Sequence, residues 1–190
     1  MTSPLRILAL CGSARRESLN AKLLAVAVAA ARAAGAEVTL FDLNASPLPL
    51  YDGDMEERDG LPAAAAKLVE IAATNHALLV ASPEYNGFIT PLLKNTLDWM
   101  SRAEADPFAG KVAAVVSASP RPFGGMKSQI LAKQLLGNLG CLVVPATCTL
   151  PRAHEAFAPG GALQDARAAK SVEALVAQLI ATTRKLAAVG

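Results

Sequence analysis

The chain has 190 residues, of which 53% are hydrophobic and only 4% aromatic, and its formal net charge is +2. This length suits a single domain over residues 1–190, with a core made mainly of aliphatic side chains. Lysine and arginine are scattered rather than clustered in a basic stripe, so we do not expect the protein to bind nucleic acid. No apolar run approaches the roughly 20 residues that span a bilayer, so we expect no membrane partner.

The three cysteines, Cys11, Cys141 and Cys148, show no metal-ligand spacing. The first apolar run is interrupted at Gly12 and followed by two arginines, unlike the core of a signal peptide. An odd number of cysteines without such a peptide is typical of a reducing compartment. We therefore expect a soluble, cytoplasmic protein.

Strand and helix patterns alternate along the chain. Strands are predicted at residues 5–11, 37–42, 76–82, 111–117 and 141–145, the last with an extension through 147–150 left open. Helices are predicted at residues 20–34, 62–75, 91–102, from the loop at 119–125 to about 139, and at 165–188. Residues 43–60, rich in proline and acidic residues, are predicted to be irregular.

This alternation predicts an α/β fold with a parallel sheet covered by helices on both faces. Five such units indicate a flavodoxin-like three-layer sandwich, with a five-stranded parallel sheet of order 2-1-3-4-5. Ligands bind such sheets beyond the carboxyl ends of the strands, where the strand order reverses. Three loops rich in Ser, Asn, Gly and Pro, at residues 12–20, 83–89 and 117–125, are expected to meet there and form one site.

The first of these loops carries the chemistry that binds a phosphate group. The following helix offers unpaired N–H groups and a partial positive charge at its N-terminus. Ser13, Ser18 and Asn20 can add hydrogen bonds, and Arg15 or Arg16 a charge-assisted one. Ser18 can equally cap the helix with no ligand present. By itself the loop does not distinguish one phosphorylated ligand from another.

Two motifs resemble those of the NAD(P)H-dependent FMN reductase family, which includes quinone, chromate and azo-dye reductases. One is G-S-x-R-x-x-S-x-N at residues 12–20; the other is P-E-Y-N-G at 83–87, followed by P-L-L-K-N-x-x-D-W at 91–99. Weaker matches are S-A-S-P at 117–120 with two glycines at 124–125, and P-L-Y-D at 49–52. The motifs cover the first two-thirds of the chain in the order and spacing of the family.

The resemblance implies FMN as the cofactor and NADPH or NADH as the co-substrate. The FMN phosphate is then expected at Ser13, Arg15, Ser18 and Asn20. The other expected contacts, along the ring and ribityl chain, lie in the second and third loops: Pro83, Glu84, Tyr85, Asn86, Gly87, Ser117, Ser119 and Gly124. Two alternatives stay open, because Glu84 could contribute only its backbone and Asn86-Gly87 is also a common turn pair.

The implied activity is electron transfer from NAD(P)H to a small-molecule acceptor, such as a quinone, free flavin, chromate or an azo compound. Donor and acceptor would use one open face in turn, which implies a ping-pong mechanism. FMN carries the chemistry, so no catalytic side chain and no metal is assigned. The alternative is a flavodoxin-type electron carrier, against which the Ser/Arg loop and the +2 charge argue. The preference between NADH and NADPH stays open, as does whether FMN stays bound or exchanges.

The resemblance further implies a homodimer, with a dimer of dimers as the alternative, and places helix 91–102 near the contact. Lys94, Asn95, Asp98 and Trp99 in this helix are expected to be structural rather than cofactor-binding. Cys11 raises one rival, because small tyrosine phosphatases also carry a cysteine in an N-terminal phosphate loop. They need an arginine six positions later, where this chain has Glu17, so we reject that function.

Overall fold

The computed structural model describes residues 4–187. The strands are β1 (Arg6–Cys11), β2 (Glu37–Phe41), β3 (Ala77–Ala81), β4 (Val112–Ala118), β5 (Leu142–Val143) and β6 (Cys148–Leu150). The helices are α1 (Leu19–Ala33), α2 (Gly53–Asp59), α3 (Ala63–Ala73), α4 (Pro91–Met100), α5 (Met126–Asn138) and α6 (Ala166–Ala187), and a 3₁₀ turn lies at Ala153–Glu155. The final helix was predicted to end at residue 188, which lies outside the described residues. No helix within residues 4–187 is both long and apolar enough to cross a membrane.

The sheet has the order β2-β1-β3-β4-β5, with every pair parallel, which confirms the predicted flavodoxin-like topology. Successive side chains of a strand point to opposite faces of the sheet. Ile7 and Ala9 of β1 therefore pack with α1 and α6, whereas Leu8 and Leu10 pack with α3, α4 and α5. Burial on both faces explains why the central strands are continuous apolar runs in the sequence.

The fifth strand is divided into two short segments along one edge of β4. β5 pairs with the start of β4 and β6 with its end. Between them, the ammonium group of Lys133 donates to the carbonyls of Val144, Pro145 and Ala146, at 3.1, 3.0 and 2.6 Å. Lys133 thus provides hydrogen bonds to carbonyls that have no partner in the sheet, and it stabilises the break between the two segments at Pro145.

Residues 43–60 are not irregular throughout, and the prediction was wrong for α2. Asp52 caps this helix by accepting hydrogen bonds from the N–H groups of Asp54 and Met55, at 2.9 and 3.1 Å. No residue of α2 is buried. Because the helix has no apolar face, hydrophobic periodicity could not reveal it.

The segment before α2 is fixed to α4. The Pro49 carbonyl accepts hydrogen bonds from Asn95 Nδ2 and Trp99 Nε1, both at 2.8 Å, and the Tyr51 N–H donates to Asn95 Oδ1 at 2.7 Å. These polar groups of α4 thus have the structural role expected of them. Leu50, held between two fixed neighbours, is left 78% exposed.

Candidate functional site

The three predicted loops meet at the carboxyl edge of the sheet, around a cavity of about 80 Å³. Eight of the twelve predicted site residues line it: Ser13, Arg15, Ser18, Asn20, Pro83, Glu84, Tyr85 and Ser119. The other four, Asn86, Gly87, Ser117 and Gly124, are not among its lining residues. The parallel strands β1, β3 and β4 are neighbours in the sheet, which is why three loops that are distant in the sequence come together.

The first loop ends at the N-terminus of α1. Ser18 is the N-cap of this helix, and its hydroxyl accepts a hydrogen bond from the Ala21 N–H at 3.1 Å. Ser13 is buried, and its hydroxyl lies 3.4 Å from the Arg15 N–H. The Arg15 side chain is exposed and makes no ion pair within residues 4–187. The capping role of Ser18 is therefore confirmed, while Arg15 remains available to an anion.

Asn20 connects the first loop to the third. Its Nδ2 donates to the Ala118 carbonyl at 2.8 Å, and its Oδ1 accepts from the Ala118 N–H at 2.9 Å. The side chain is buried, and these two bonds leave only one N–H of its amide for a ligand. Asn20 thus sets the distance between the two loops, whatever it contributes to a phosphate.

The second loop is a tight hairpin. Tyr85 and Phe88 exchange two backbone hydrogen bonds of 3.0 Å, and Asn86 and Gly87 both have positive φ angles, of 53° and 82°. This is the type I′ geometry of a two-residue turn, so the turn interpretation of the pair is confirmed. The turn leaves Tyr85 47% exposed beside the cavity.

Glu84 uses its side chain to cap α5. One carboxylate oxygen accepts from the N–H groups of Lys127 and Ser128, at 3.1 and 3.3 Å. The Ser128 hydroxyl in turn donates to the Pro83 carbonyl at 2.7 Å. A carboxylate is stabilised at a helix N-terminus, so the Glu84 side chain holds the second loop on α5. This contact favours the alternative in which Glu84 offers a ligand only its backbone.

The third loop packs against buried groups of the neighbouring strands. Ser117 has no exposed surface, and its hydroxyl donates to the Ser82 carbonyl at 2.7 Å. Gly124 has a φ of 60°, and a Cβ there would approach the Leu150 carbonyl carbon to 2.7 Å. This burial argues against direct ligand contact by the Ser117 side chain. Ser119, by contrast, is only half-buried and caps the loop by accepting from the Arg121 N–H at 3.1 Å.

The sequence analysis did not identify two residues that hold the first loop in place. The Thr90 hydroxyl donates to the Gly12 carbonyl at 2.6 Å and accepts from the Leu93 N–H at 3.2 Å, so it caps α4 and holds the first loop. Asn44 donates from Nδ2 to the Ser13 carbonyl at 3.1 Å. A threonine directly before Pro91 is a recognisable cap signal, but its second bond depends on β1 and β3 being neighbours.

Cys11 lies at the end of β1, beside the first loop. Burial is the main cause that raises the pKa of its thiol, although hydrogen bonds from Ser13 and Ser18 act in the other direction. A nucleophilic cysteine needs a lowered pKa, because the thiolate is the reactive form. The raised pKa is thus a second reason, independent of Glu17, to reject the phosphatase function.

A larger cavity of about 590 Å³ lies on the other side of the first loop, between α1 and β2. Its lining includes the apolar side chains of Leu24, Val28 and Leu40, together with Arg15. None of the second-loop or third-loop residues lines it. The cavity therefore borders the first loop of the candidate site and not the end near Tyr85.

Comparisons with known proteins agree with this geometry. The sequence profile of the NADPH-dependent FMN reductase family matches residues 5–155. An NAD(P)H-dependent FMN reductase of Pseudomonas aeruginosa is 33% identical over 188 residues, covering 98% of this chain and 99% of the relative. A quinone reductase of Escherichia coli strain K12 is 31% identical over 148 residues, covering 76% of each chain.

Among solved structures, the flavoenzyme NAD(P)H:(acceptor) oxidoreductase FerB from Paracoccus denitrificans superposes with a TM-score of 0.82. It is 27% identical, and the match covers 95% of this chain and 98% of that one. The chain belongs to the NADPH-dependent FMN reductase family. It is therefore an oxidoreductase of a family that uses FMN together with NAD(P)H.

Proposed function

We propose that this protein transfers electrons from NAD(P)H to a quinone, free flavin or similar flat acceptor by a ping-pong mechanism. The observation that carries the proposal is the convergence of three loops on one cavity beside an exposed tyrosine. When bound, FMN supplies the electron-transfer chemistry, and the protein supplies binding and orientation. Chromate and azo compounds are further candidate acceptors, because an open face selects weakly.

The first loop fits a phosphate group. Its cavity is too small for a whole flavin but suits a group of phosphate size. The N-terminus of α1, the buried Ser13 hydroxyl and the guanidinium of Arg15, which forms no ion pair among residues 4–187, together form a donor set for a dianion. We propose that these groups bind the FMN phosphate, while the Ser18 and Asn20 side chains chiefly maintain the loop.

The second and third loops would hold the remaining part of FMN. The hairpin at Tyr85 and Phe88 is rigid, because both strand ends are bonded and the turn is of a favoured type. It presents the Tyr85 backbone and ring beside Ser119 across the cavity. We propose that the isoalloxazine ring lies here with one face open, which is what allows donor and acceptor to use the same position in turn.

The decisive experiment follows the flavin absorbance of the FMN-loaded protein without oxygen. We expect NADPH or NADH to bleach it within seconds and a neutral quinone to restore it. Initial rates at several fixed quinone concentrations should give parallel double-reciprocal lines. Converging lines would contradict the ping-pong mechanism. Flavin that stays oxidised with both nucleotides would contradict the reductase function and leave the flavodoxin-type carrier.

The physiological acceptor can be narrowed by comparing kcat/KM for a neutral quinone, free FMN and chromate in parallel. We propose that the quinone is the best of the three, because the half-exposed Tyr85 offers a flat aromatic surface. A higher value for chromate would contradict this choice without affecting the reductase function.

We also propose that the protein is a homodimer whose contact includes the surface beside α4. Leu50 is 78% exposed, although hydrogen bonds fix the backbone of its two neighbours, Pro49 and Tyr51. Phe88 is 64% exposed, although its backbone is hydrogen-bonded to Tyr85 within the hairpin. Rigid, exposed apolar side chains of this kind are typical of protein interfaces. We further propose that the protein acts in the cytoplasm and that residues 1–190 form one domain.

A further inference from the structure

The larger cavity, of about 590 Å³, is elongated along α1 on the side of β2. The residues of α1 that line it extend from Ala21 to Arg32. With a rise of about 1.5 Å per residue, this part of the helix is about 16 Å long. The volume lies within the range of small-ligand pockets. We call this cavity the α1–β2 groove.

Between its two ends the groove is lined mainly by apolar side chains. Leu24 and Val28 belong to α1, and Leu40 belongs to β2. Leu40 is 60% exposed, whereas Val38, on the same face of the strand, packs against the core. The groove therefore offers apolar surface, and removing this surface from water would favour the binding of an alkyl chain.

One end of the groove is positively charged. Arg15 and Arg16 both line it, are exposed, and form no ion pair among residues 4–187. Asp42 carries the only carboxylate among the described residues of the lining, and one of its oxygens already accepts a backbone N–H at 2.9 Å. The nearby Glu17 is paired with Lys22 at 3.1 Å. Together with the N-terminus of α1, the two arginines make this end complementary to an anionic group.

The open edge of β2 is obstructed against the addition of another strand. The Glu37 N–H donates to the Leu5 carbonyl, just before β1, so the backbone groups of the next residue, Val38, point to the opposite, open edge. Arg32 covers this edge, because its Nη2 donates to the Val38 carbonyl at 3.1 Å. A charged side chain on an edge strand hinders pairing with a further strand. The groove therefore suits a small ligand better than a peptide strand or the β2 strand of a second copy.

We propose that the α1–β2 groove binds an amphipathic anion with a linear alkyl chain, such as a medium-chain fatty acid. The carboxylate lies at Arg16, which lines the groove but not the candidate flavin site, with Arg15 beside it. The alkyl chain covers Leu40 and follows α1 toward Arg32, whose long stem is itself apolar. The length of the groove is close to that of extended decanoate. The inference goes beyond the proposed electron transfer and does not depend on it.

The test compares the binding of decanoate and decan-1-ol to the FMN-loaded protein by equilibrium dialysis. The two compounds share the alkyl chain and differ in the charged group, and bound FMN keeps them out of the candidate flavin site. We expect one decanoate per chain, bound about tenfold or more tightly than decan-1-ol, because the alcohol lacks the charged hydrogen bond. Equal affinities would overturn the inference. If the protein does not retain FMN, the proposed function fails, and the same comparison on the FMN-free protein still tests the groove.

Two variants with matched controls locate the bound chain. Leu40→Ser should lower the affinity for decanoate about tenfold, because apolar contact is lost. Arg16→Gln should lower the affinity for decanoate by a similar factor and leave that for decan-1-ol unchanged. Leu142→Ser, at a leucine that is 51% exposed on the opposite edge strand β5, is the control for the first variant. Arg184→Gln, in the last turn of α6, is the control for the second. Both controls should bind decanoate as the unmodified protein does.

A third variant, Ala25→Phe, fills the groove from the side of α1. Ala25 is exposed and lines the groove, so this change should abolish decanoate binding and leave the unfolding temperature and the affinity for FMN unchanged. The inference is overturned if the unmodified protein does not bind decanoate, or if binding persists unchanged in Leu40→Ser and Ala25→Phe. Absence of binding together with a lower mass of Leu40→Ser in light scattering would also overturn it, and would assign the groove to a contact between copies of the chain.

Discussion

The side-chain amide of Asn20 exchanges two hydrogen bonds with the backbone of Ala118, a residue 98 positions further along the chain. Both partners are buried, so neither the N–H nor the carbonyl of Ala118 can turn to water if Asn20 is lost. One side chain thus fixes the first loop of the site relative to the third. The separation between the proposed phosphate region and the proposed ring region depends on this contact.

Replacing Asn20 should therefore damage both stability and cofactor binding. We expect Asn20→Ala to lower the free energy of unfolding by about 2–4 kcal/mol, because two buried backbone groups lose their partners. Affinity for FMN should fall as well. Chemical denaturation and flavin titration measure the two effects. Asn44→Ala, which loses a single hydrogen bond to the Ser13 carbonyl, should cost about 1 kcal/mol or less. An equal loss in both variants would contradict the special role of Asn20.

Arg15 offers a clean test of phosphate binding. Because its side chain makes no ion pair within residues 4–187, Arg15→Gln should leave the unfolding temperature unchanged. It should weaken FMN binding about tenfold through loss of a charged hydrogen bond, with little change for riboflavin, which has no phosphate. Ser18→Ala is less informative, since losing the helix cap costs stability with or without a ligand. Arg16→Gln is the control, and equal weakening of FMN and riboflavin would refute the assignment.

Gly125 and Ser117 should show strong energetic coupling. A Cβ on Gly125, which has a φ of 84°, would overlap the buried Ser117 hydroxyl. We expect Gly125→Ala to destabilise the protein by about 3 kcal/mol, through backbone strain and overpacking together. Adding Ser117→Ala removes the overlapping oxygen. The double variant should be more stable, by about 1 kcal/mol, than the sum of the single effects predicts. If the two changes in the free energy of unfolding are additive in a double-mutant cycle, the predicted coupling between Gly125 and Ser117 is wrong.

His76 should make stability depend on pH. Burial, followed by the positive charges of Arg6 and Lys111, lowers its pKa from the ordinary value of 6.5. Its Nδ1 also accepts the Arg6 N–H at 3.0 Å, which a protonated ring nitrogen cannot do. The folded protein therefore favours neutral His76. This stabilising contribution is fully present above about pH 6.5 and is lost as the pH falls below that value.

His76→Gln should flatten this dependence, because glutamine does not titrate. Unfolding temperatures measured between pH 7 and pH 5 test this prediction. A slope that persists unchanged in His76→Gln would assign the pH dependence to other groups.

Leu50 tests the proposed dimer contact. Since the Leu50 side chain is 78% exposed, Leu50→Asp should leave the fold of the monomer intact. In an interface, the same change would bury a charge without a partner and shift the protein toward the monomer. Light scattering after gel filtration measures the mass. Leu186→Asp, at an exposed apolar residue near the end of α6, is the matched control. A dimer that withstands Leu50→Asp would place the contact elsewhere.

Much of the fold was predictable because local pattern and global topology agree. The apolar runs of β1, β3 and β4 reflect burial on both faces, and the alternation with helices limits the possible sheet orders. The short helix α2 was missed because it buries no residue. The break between β5 and β6 depends on Lys133, whose partners lie 11 to 13 positions away and become visible only in three dimensions.

The candidate site was likewise predictable in part. The sequence alone determined which three loops carry polar residues and, through their motifs, which family they resemble. Only the tertiary structure decided what each side chain does: Asn20 bonds to Ala118, Glu84 caps α5, and Ser117 is buried under Gly125. The physical reason is that a motif records residue types along the chain, whereas hydrogen-bond partners and burial are set by contacts between distant segments.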